Sequence, residues 1–358
     1  MAINSHYTDC ANGLGFSVEN MDPSADAAQD FYRFAAGRWL DQIIIPDTEG
    51  QINGFKRLYL LVNQQILALL HHAAENSVHA PKGSVEQQVG DFFASAMDTQ
   101  RLEELGIAPL QAEFERIEVI ATPAELATTV AHLMSISGSP ILLTPYVRAD
   151  RKKSDMNALG IYPGGWSMGN RDLYLNEAYA PLRAAFLEHL ARMLQLTGIS
   201  EAVAAQQAQT IVDLETALAQ AKLSPVEASN PETTYNKMAI AELQAMIPHF
   251  DLGTFFARLG LSTDHEVIVS EPEYVRALDT LLVEHPIEDF KIYLRWMLLN
   301  GTAQYLNPAI AEANLDFFVK KLQGTPEILP REQRVAAQIQ NRLGHPVAQL
   351  YVKEYFSP

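Results

Sequence analysis

Residues 122–162 read TPAELATTVAHLMSISGSPILLTPYVRADRKKSDMNALGIY and decide the fold, because they join a strong helix start to the pattern of a β-hairpin. Thr122 is a favoured N-cap residue, and Pro123 suits the first helical position. Glu125, two residues after the proline, can reach back to the cap. We therefore predict that a helix begins at residue 123.

The second part of this stretch predicts the hairpin. Apolar runs at residues 141–147 and 158–162 flank a polar turn around residues 151–155. Short apolar runs bounded by glycine, proline and polar turn residues are typical of antiparallel strands. A third short strand is possible at residues 266–269.

Helical patterns dominate the rest of the chain. Apolar residues recur at spacings of three and four, which places them on one face of a helix. The segments with this spacing or with a helix-start signal are 25–45, 55–75, a helix opened by a capping box at 84–87, 182–193, 200–218 and, broken at three prolines, 271–356. Strands are too few for a doubly wound sheet. The predicted fold class is mainly α, a large multi-helix lobe with a small β-hairpin.

Aromatic residues in these helical patterns are predicted to lie in the core rather than on a stacking surface. They are Phe31, Tyr32, Trp39, Trp296 and Tyr305.

We expect the chain to divide into a flexible N-terminal segment, residues 1–20, and one helical region, residues 21–358. A possible internal linker lies at residues 224–234, where two prolines interrupt a polar stretch.

Composition limits the partners and the compartment. The 358 residues include 26 basic and 43 acidic side chains, for a formal net charge of −17. Nucleic acids and anionic membranes are bound by clustered Lys and Arg, so neither partner is expected. The single cysteine, Cys10, allows no intramolecular disulfide and no multi-cysteine zinc site. No signal peptide and no membrane span are expected from the apolar runs, and a cytoplasmic globular protein is predicted.

Histidine spacing does not predict a metal site in this chain. A zinc helix needs two imidazoles one turn apart with a glutamate beside the first. His265-Glu266 lacks the second histidine, and His71 and His72 would point about 100° apart on a helix.

Gly165-Trp166-Ser167-Met168-Gly169 satisfies the Gly-x-Ser-x-Gly pattern of a nucleophile elbow. Chemistry at Ser167 would need a strand-to-helix turn and a later acid and histidine. The parallel sheet that presents such an elbow is not predicted, so the alternative is a glycine-rich loop that leaves the hairpin.

Several strings, in order along nearly the whole chain, resemble the N-terminal half of the neprilysin family of zinc metallopeptidases, which includes the bacterial oligopeptidase O enzymes. The strings are MDP at 21–23, DFYRFAAGRWL at 30–40, IP at 45–46, MGNRDLYL at 168–175, TYNKM at 234–238, AEL at 241–243, PEY at 272–274 and QLYVKEYF at 349–356. This resemblance implies a helical lobe that encloses substrate. It also places Gly165–Gly169 in a loop where the family has no nucleophile.

In this family, zinc is held by a His-Glu-x-x-His helix and a later Glu-x-x-x-Asp helix, both in the C-terminal half. The resemblance therefore implies no cofactor in this chain and zinc in a partner chain that carries the His-Glu-x-x-His helix. On that partner, zinc and a general-base glutamate would activate water to attack a peptide carbonyl. The leading hypothesis is a non-catalytic subunit of a two-chain zinc metalloendopeptidase that encloses and positions peptides.

The resemblance also suggests substrate-binding positions. Family members often carry two arginines shortly after the Ile-Pro string, and these positions are occupied here by Gln51 and Tyr59. Losing both guanidinium groups removes a bidentate clamp for a terminal carboxylate, which argues against dipeptide release. Peptide contacts are expected near Gln51, Asn53, Arg57 and Tyr59.

Two alternatives remain open. The first is a stand-alone peptide-binding or protein-binding module, a degenerate relative without hydrolytic activity. The second is a serine esterase that uses Ser167.

Overall fold

The computed structural model describes residues 17–356, so Cys10 and most of the predicted flexible segment lie outside the described residues. The chain forms two compact units. Unit 1 comprises Met1–Asp98 and Gln323–Pro358, and unit 2 comprises Thr99–Leu322.

The structure is mainly helical, which confirms the predicted fold class. The α-helices in chain order are α1 (Phe31–Gln42), α2 (Gly54–Asn76), α3 (Val85–Met97), α4 (Thr99–Leu105), α5 (Gln111–Glu118), α6 (Pro123–Ser137), α7 (Arg171–Leu175), α8 (Ala180–Gln195), α9 (Glu201–Gln220), α10 (Pro225–Ala228), α11 (Ile240–Met246), α12 (Leu252–Arg258), α13 (Pro272–Glu284), α14 (Ile287–Thr302), α15 (Pro308–Leu315), α16 (Arg331–Arg342) and α17 (Gly344–Tyr355). A π-helix, Asp316–Leu322, directly follows α15. Within residues 17–356, no helix is long and apolar enough to span a bilayer.

The start of α6 confirms the predicted cap. Thr122 Oγ1 accepts a hydrogen bond from the backbone N–H of Glu125, and the Glu125 side chain accepts one from the N–H of Thr122. Gly138, in the left-handed region at φ 70°, ends the helix. A side-chain cap therefore fixes the start of α6, and the left-handed backbone of a glycine fixes its end.

The hairpin is present, but it belongs to a larger sheet. Its strands are β1 (Leu143–Asp150) and β2 (Lys153–Pro163), and two short strands, β3 (Asn236–Ala239) and β4 (Glu266–Val269), complete the order β1-β2-β4-β3. The β2/β4 pair is parallel and the other two pairs are antiparallel. The sequence predicted β4 and missed β3, whose four residues carry little of the β-branched and aromatic character that marks a strand.

Unit 1 is built on α2 and α3, with α16 and α17 packed against both. Its core includes Leu70, Val89 and Phe93. Gly90 lies where α2 and α3 approach each other, since a Cβ there would be 2.2 Å from the Ala73 carbonyl oxygen. This helix pair depends on having no side chain at that position.

Unit 2 has the larger core, which α6, α8, α9, α13 and α14 form together with the buried face of the sheet. Trp296 is fully buried in it, as predicted. The segment predicted as a possible linker, residues 224–234, lies within unit 2. It forms the capped helix α10, and the Arg151 guanidinium donates a 2.8 Å hydrogen bond to the Thr234 carbonyl.

The prediction of a core position was wrong for Phe31 and Tyr32. Their exposures are 69% and 66%, at the first turn of α1. Apolar spacing identifies the face of a helix but not whether another element covers it.

Candidate functional site

The predicted substrate-binding residues lie at the start of α2. Asn53 is the N-cap, and its Oδ1 accepts a 2.8 Å hydrogen bond from the backbone N–H of Lys56. This contact gives Asn53 a structural role, because it satisfies one of the free N–H groups at the helix start. Gln51 is exposed and Arg57 is half-buried.

Lys56, which was not among the residues predicted from the sequence, forms an ion pair in this region. Its Nζ lies 2.6 Å from Glu49 Oε2, and the Glu49 side chain is only 9% exposed. The same ammonium lies 4.9 Å from the centroid of the Tyr59 ring. The Lys56 ammonium is therefore paired with the Glu49 carboxylate and also makes a cation–π contact with the Tyr59 ring.

A cavity of about 110 Å³ opens beside this pair, within unit 1. The paired Glu49 and Lys56 belong to its lining. The uncharged polar groups come from Tyr59, Asn63, Gln64 and Gln333, and the other lining residues are leucines and alanines. Among the four predicted residues, Tyr59 lines this cavity, whereas Gln51, Asn53 and Arg57 are not in its lining. The chemistry suits an uncharged polar or aliphatic side chain rather than a free carboxylate.

The first half of unit 1 also exposes large apolar side chains. Those between residues 31 and 59 are Phe31, Tyr32, Ile44, Ile45, Phe55, Leu58 and Tyr59. Phe55 is 88% exposed and Ile44 is 82% exposed. Single exposed apolar residues need no explanation, whereas these seven lie within one short stretch of the sequence, between residues 31 and 59. Where such side chains adjoin, the apolar patch is typical of a surface that another protein covers.

Ser167 belongs to a hydrogen-bond network that includes no histidine among residues 17–356. Its Oγ donates to Glu215 Oε1 at 2.6 Å and accepts from Trp296 Nε1 at 2.7 Å. A serine nucleophile needs a base that can take and return its proton, and in the esterase pattern that base is a histidine. The geometry therefore supports an anchored loop at Gly165–Gly169 and not a nucleophile elbow.

Glu215 is the centre of that anchor. It is fully buried in α9, and its Oε2 accepts hydrogen bonds from the Ser167 backbone N–H at 3.1 Å and the Tyr174 hydroxyl at 2.6 Å. The Tyr174 oxygen in turn accepts a 2.9 Å bond from the Met168 N–H. Burial raises the pKa of Glu215 to about 7, against the lowering effect of these hydrogen bonds. The network fixes the loop between β2 and α7.

Sequence reasoning missed Glu215, although a signal was present. Ala204, Ala208, Ile211, Glu215 and Leu218 follow the 4-3-4-3 spacing of one buried helix face, and all five are buried. A carboxyl on such a face must find hydrogen-bond donors, which here come from the Gly165–Gly169 loop and Tyr174.

The described residues do not fit a zinc ion. Within residues 17–356, no three His, Cys, Asp or Glu side chains converge as a metal site requires. His71 is 3.4 Å from Glu332, and His249 lies 3.1 Å from Asp279 on an exposed surface. Each contact joins one imidazole and one carboxylate, short of the three protein ligands of a catalytic zinc site.

Comparison with known proteins assigns the family. A model described as "Peptidase family M13" matches residues 27–358. Endothelin-converting enzyme 1 of Mus musculus is 26% identical over 364 residues, which cover 97% of this chain and 46% of that protein. Endothelin-converting enzyme-like 1 of Rattus norvegicus is also 26% identical, over 97% of this chain and 46% of its own length. This chain thus spans about half the length of the curated relatives it matches.

Solved structures agree. The zinc metalloprotease ZMP1 of Mycobacterium tuberculosis, in complex with an inhibitor, superposes with a TM-score of 0.87 at 28% identity, over 96% of this chain and 52% of that chain. PEPO from Lactobacillus rhamnosis shares the fold, with a TM-score of 0.72 at 20% identity over 93% of this chain and 52% of its own. The chain therefore belongs to peptidase family M13 and corresponds to the N-terminal part of the neprilysin-like peptidases.

Proposed function

We propose that this chain is the non-catalytic subunit of a two-chain neprilysin-like zinc metalloendopeptidase. It encloses and positions a peptide substrate, while a partner chain supplies the zinc site on a His-Glu-x-x-His helix. The proposal retains the cytoplasmic location expected from the sequence. The observation that carries it is the set of exposed apolar side chains between Phe31 and Tyr59, in a chain that belongs to a metallopeptidase family.

The apolar set supports a partner because its burial is favourable and unit 1 leaves it unburied. Burying one large apolar side chain contributes roughly 1.5–3 kcal/mol. Phe55 and Ile44, with exposures of 88% and 82%, have nearly all of that gain still available. Aromatic residues such as Phe31, Tyr32 and Tyr59 are also enriched at the centres of protein interfaces.

The proposal assigns no zinc ligand to this chain, because no group of side chains among the described residues could bind the ion. The chain's own part in substrate binding is assigned to the start of α2, where Gln51, Asn53, Arg57 and Tyr59 remain the predicted contacts. The Glu49 carboxylate, 2.6 Å from the Lys56 ammonium, already neutralises the charge of that lysine. We therefore propose recognition along a peptide segment rather than by a terminal carboxylate.

The test replaces one exposed apolar residue with a polar one and measures partner recovery. Ile44→Ser removes an 82% exposed side chain of unit 1, and Val226→Ser removes an 81% exposed side chain of unit 2 as the matched control. Each variant is expressed at native level in the source organism, and co-purified proteins are quantified by mass spectrometry. We expect Ile44→Ser to lower the affinity for a zinc-containing chain roughly tenfold, since an interface side chain contributes on the order of 1–3 kcal/mol.

Val226→Ser should recover the partner as the unchanged chain does. Equal recovery in both variants would contradict the proposed interface. A chain that elutes alone in every case would favour the stand-alone binding module.

A further inference from the structure

A cavity of about 440 Å³ lies within unit 2, whereas the proposed peptide contacts belong to unit 1. Helix α8, the end of α15 and the π-helix form its walls. The titratable side chains that line it are Glu188, His189, Arg192, Asp316, Lys320 and Lys321. It thus concentrates three permanent cations in a protein whose formal net charge is −17.

His189 is held rigidly in the wall of this cavity. Its ring stacks on Phe317 with centroids 4.8 Å apart and an interplanar angle of 10°. The Trp296 ring meets it edge-on at 5.7 Å, and the residue is only 6% exposed. The imidazole therefore has one fixed orientation beside the cations.

One ring nitrogen of His189, Nε2, is buried without a hydrogen bond in the part of the chain that the structure describes. Burial, with Arg192 and Lys321 nearby, lowers its pKa to about 3, so the ring is neutral at physiological pH. A buried polar atom without a partner destabilises a fold, and phenylalanine would make the same stack without that penalty. Packing alone does not account for a histidine here.

The charges around the ring are unevenly paired. Asp316 forms ion pairs with both Lys320, 3.1 Å from its Oδ1, and Arg192, 3.6 Å from its Oδ2. Lys321 makes no ion pair within the described part of the chain, and the exposed Glu188 carboxylate is the second acid of the lining. With His189 neutral, three cations face two carboxylates, which leaves one positive charge in excess.

We propose that this cavity binds a small phosphate-bearing molecule, with its phosphate group on Arg192, Lys320 and Lys321. A phosphate group offers up to two negative charges and several acceptor oxygens, so it can meet three cationic donors that one carboxylate cannot satisfy together. Asp316 holds Arg192 and Lys320 in place before the ligand arrives. The neutral imidazole of His189 and the ring of Phe317 provide the wall for the carbon part of the ligand. The Glu188 carboxylate repels an anionic ligand, so binding requires several cations to act together.

This site does not depend on the peptidase proposal, because it uses residues of unit 2 alone and involves no zinc. Either proposal can fail without the other.

The first test is calorimetric titration of the full chain with pyrophosphate and with phenyl phosphate, at an ionic strength matched with sodium chloride. We expect saturable binding at one site per chain. Lys321→Ala should weaken it roughly tenfold, the loss typical of one charge-assisted contact. Lys153→Ala removes an exposed lysine of β2 in the same unit and should leave the dissociation constant unchanged.

The second test separates a ligand wall from simple packing. His189→Phe should raise the Tm of the unliganded chain, because the buried unpaired nitrogen is removed, and should keep phenyl phosphate binding, because a ring still forms the wall. His189→Ala removes the wall and should weaken phenyl phosphate binding more than pyrophosphate binding. Equal changes for the two ligands in His189→Ala would overturn the role assigned to His189. Heat effects that do not saturate, or equal affinity in the chain and in Lys321→Ala, would overturn the site itself. Lys321 is exposed, so that variant decides the matter even where His189→Phe does not fold.

Discussion

Helices α2 and α9 have similar lengths, 23 and 20 residues, and both carry apolar residues at helical spacing. One face of α9 is buried along nearly the whole helix, from Ala204 to Ala219. The buried residues of α2 begin only at Ile66, and its first turns expose Phe55 and Leu58. The same sequence pattern thus produces a core helix in one unit and a partly uncovered helix in the other. The difference lies in what covers each face, and it indicates where a partner could bind.

The largest effect is expected at the buried carboxyl of α9. Glu215→Leu keeps a similar volume but leaves the Ser167 N–H, the Ser167 hydroxyl and the Tyr174 hydroxyl without their acceptor. We expect a loss of about 4 kcal/mol in the free energy of unfolding, as for other broken buried networks. Denaturant titration measures it. Gln206→Leu, at an exposed position of the same helix, should change stability by less than about 0.5 kcal/mol. Similar losses in the two variants would mean that the network does not hold unit 2 together.

The uneven burial of α2 predicts an uneven response to truncation. Leu70 is fully buried and Leu58 is 52% exposed, on the same helix. Leu70→Ala should cost about 3 kcal/mol, through lost burial and a cavity. Leu58→Ala, chemically the same change, should cost less than about 0.5 kcal/mol. Thermal unfolding of the two variants compares them directly. A large loss at Leu58 would show that the start of α2 is covered within the chain.

A third effect concerns pH. The pKa of the Glu215 carboxyl rises from an ordinary 4.5 to about 7 on burial. The folded state therefore binds this proton more tightly than the unfolded state does. The stability that this binding contributes is fully present below pH 4.5 and is lost as the pH rises through about 7. Between pH 5.5 and 7.5 the wild-type chain should lose about 2 kcal/mol relative to Glu215→Gln, at 1.36 kcal/mol per pKa unit. Parallel stability–pH curves for the two proteins would contradict the raised pKa.

The smallest effect tests the close approach of α2 and α3. Gly90→Ala places a Cβ 2.2 Å from the Ala73 carbonyl oxygen, and it should destabilise the chain by about 1–2 kcal/mol. At Gly54, at the start of α2, an added Cβ meets nothing within 4 Å. Gly54→Ala should therefore be neutral or stabilise slightly, through a less flexible unfolded chain. Urea titration of both variants distinguishes close helix packing from a general preference for alanine in helices.

Much of the fold follows from local rules that act within a few residues. The cap at Thr122 was predictable because all its partners lie within three positions. Ser84 also caps its helix as expected, although the Gln87 side chain accepts from the Gly83 N–H instead of returning to the cap residue. These signals require no knowledge of the tertiary structure.

What escaped prediction depends on contacts between distant residues. Strand β3 forms because β4 lies beside it, and its Lys237 reaches Asp150 at 3.1 Å, 87 positions earlier. The Glu215 network joins residues 41 and 48 positions apart. The exposure of Phe31 and Tyr32 depends on which elements lie nearby. The resemblance to the family predicted substrate contacts at the start of α2. The ion pair between Lys56 and Glu49 could be identified only in the structure.

The central claim is that this chain serves a metallopeptidase without holding the metal. The most direct measurement purifies the untagged chain at native level from its source, identifies co-eluting proteins by mass spectrometry and measures zinc in each fraction. We predict a stoichiometric second chain that contains His-Glu-x-x-His, with zinc in the complex and none on this chain after the two are separated. Stoichiometric zinc on the separated chain, or elution without any partner, would contradict the account.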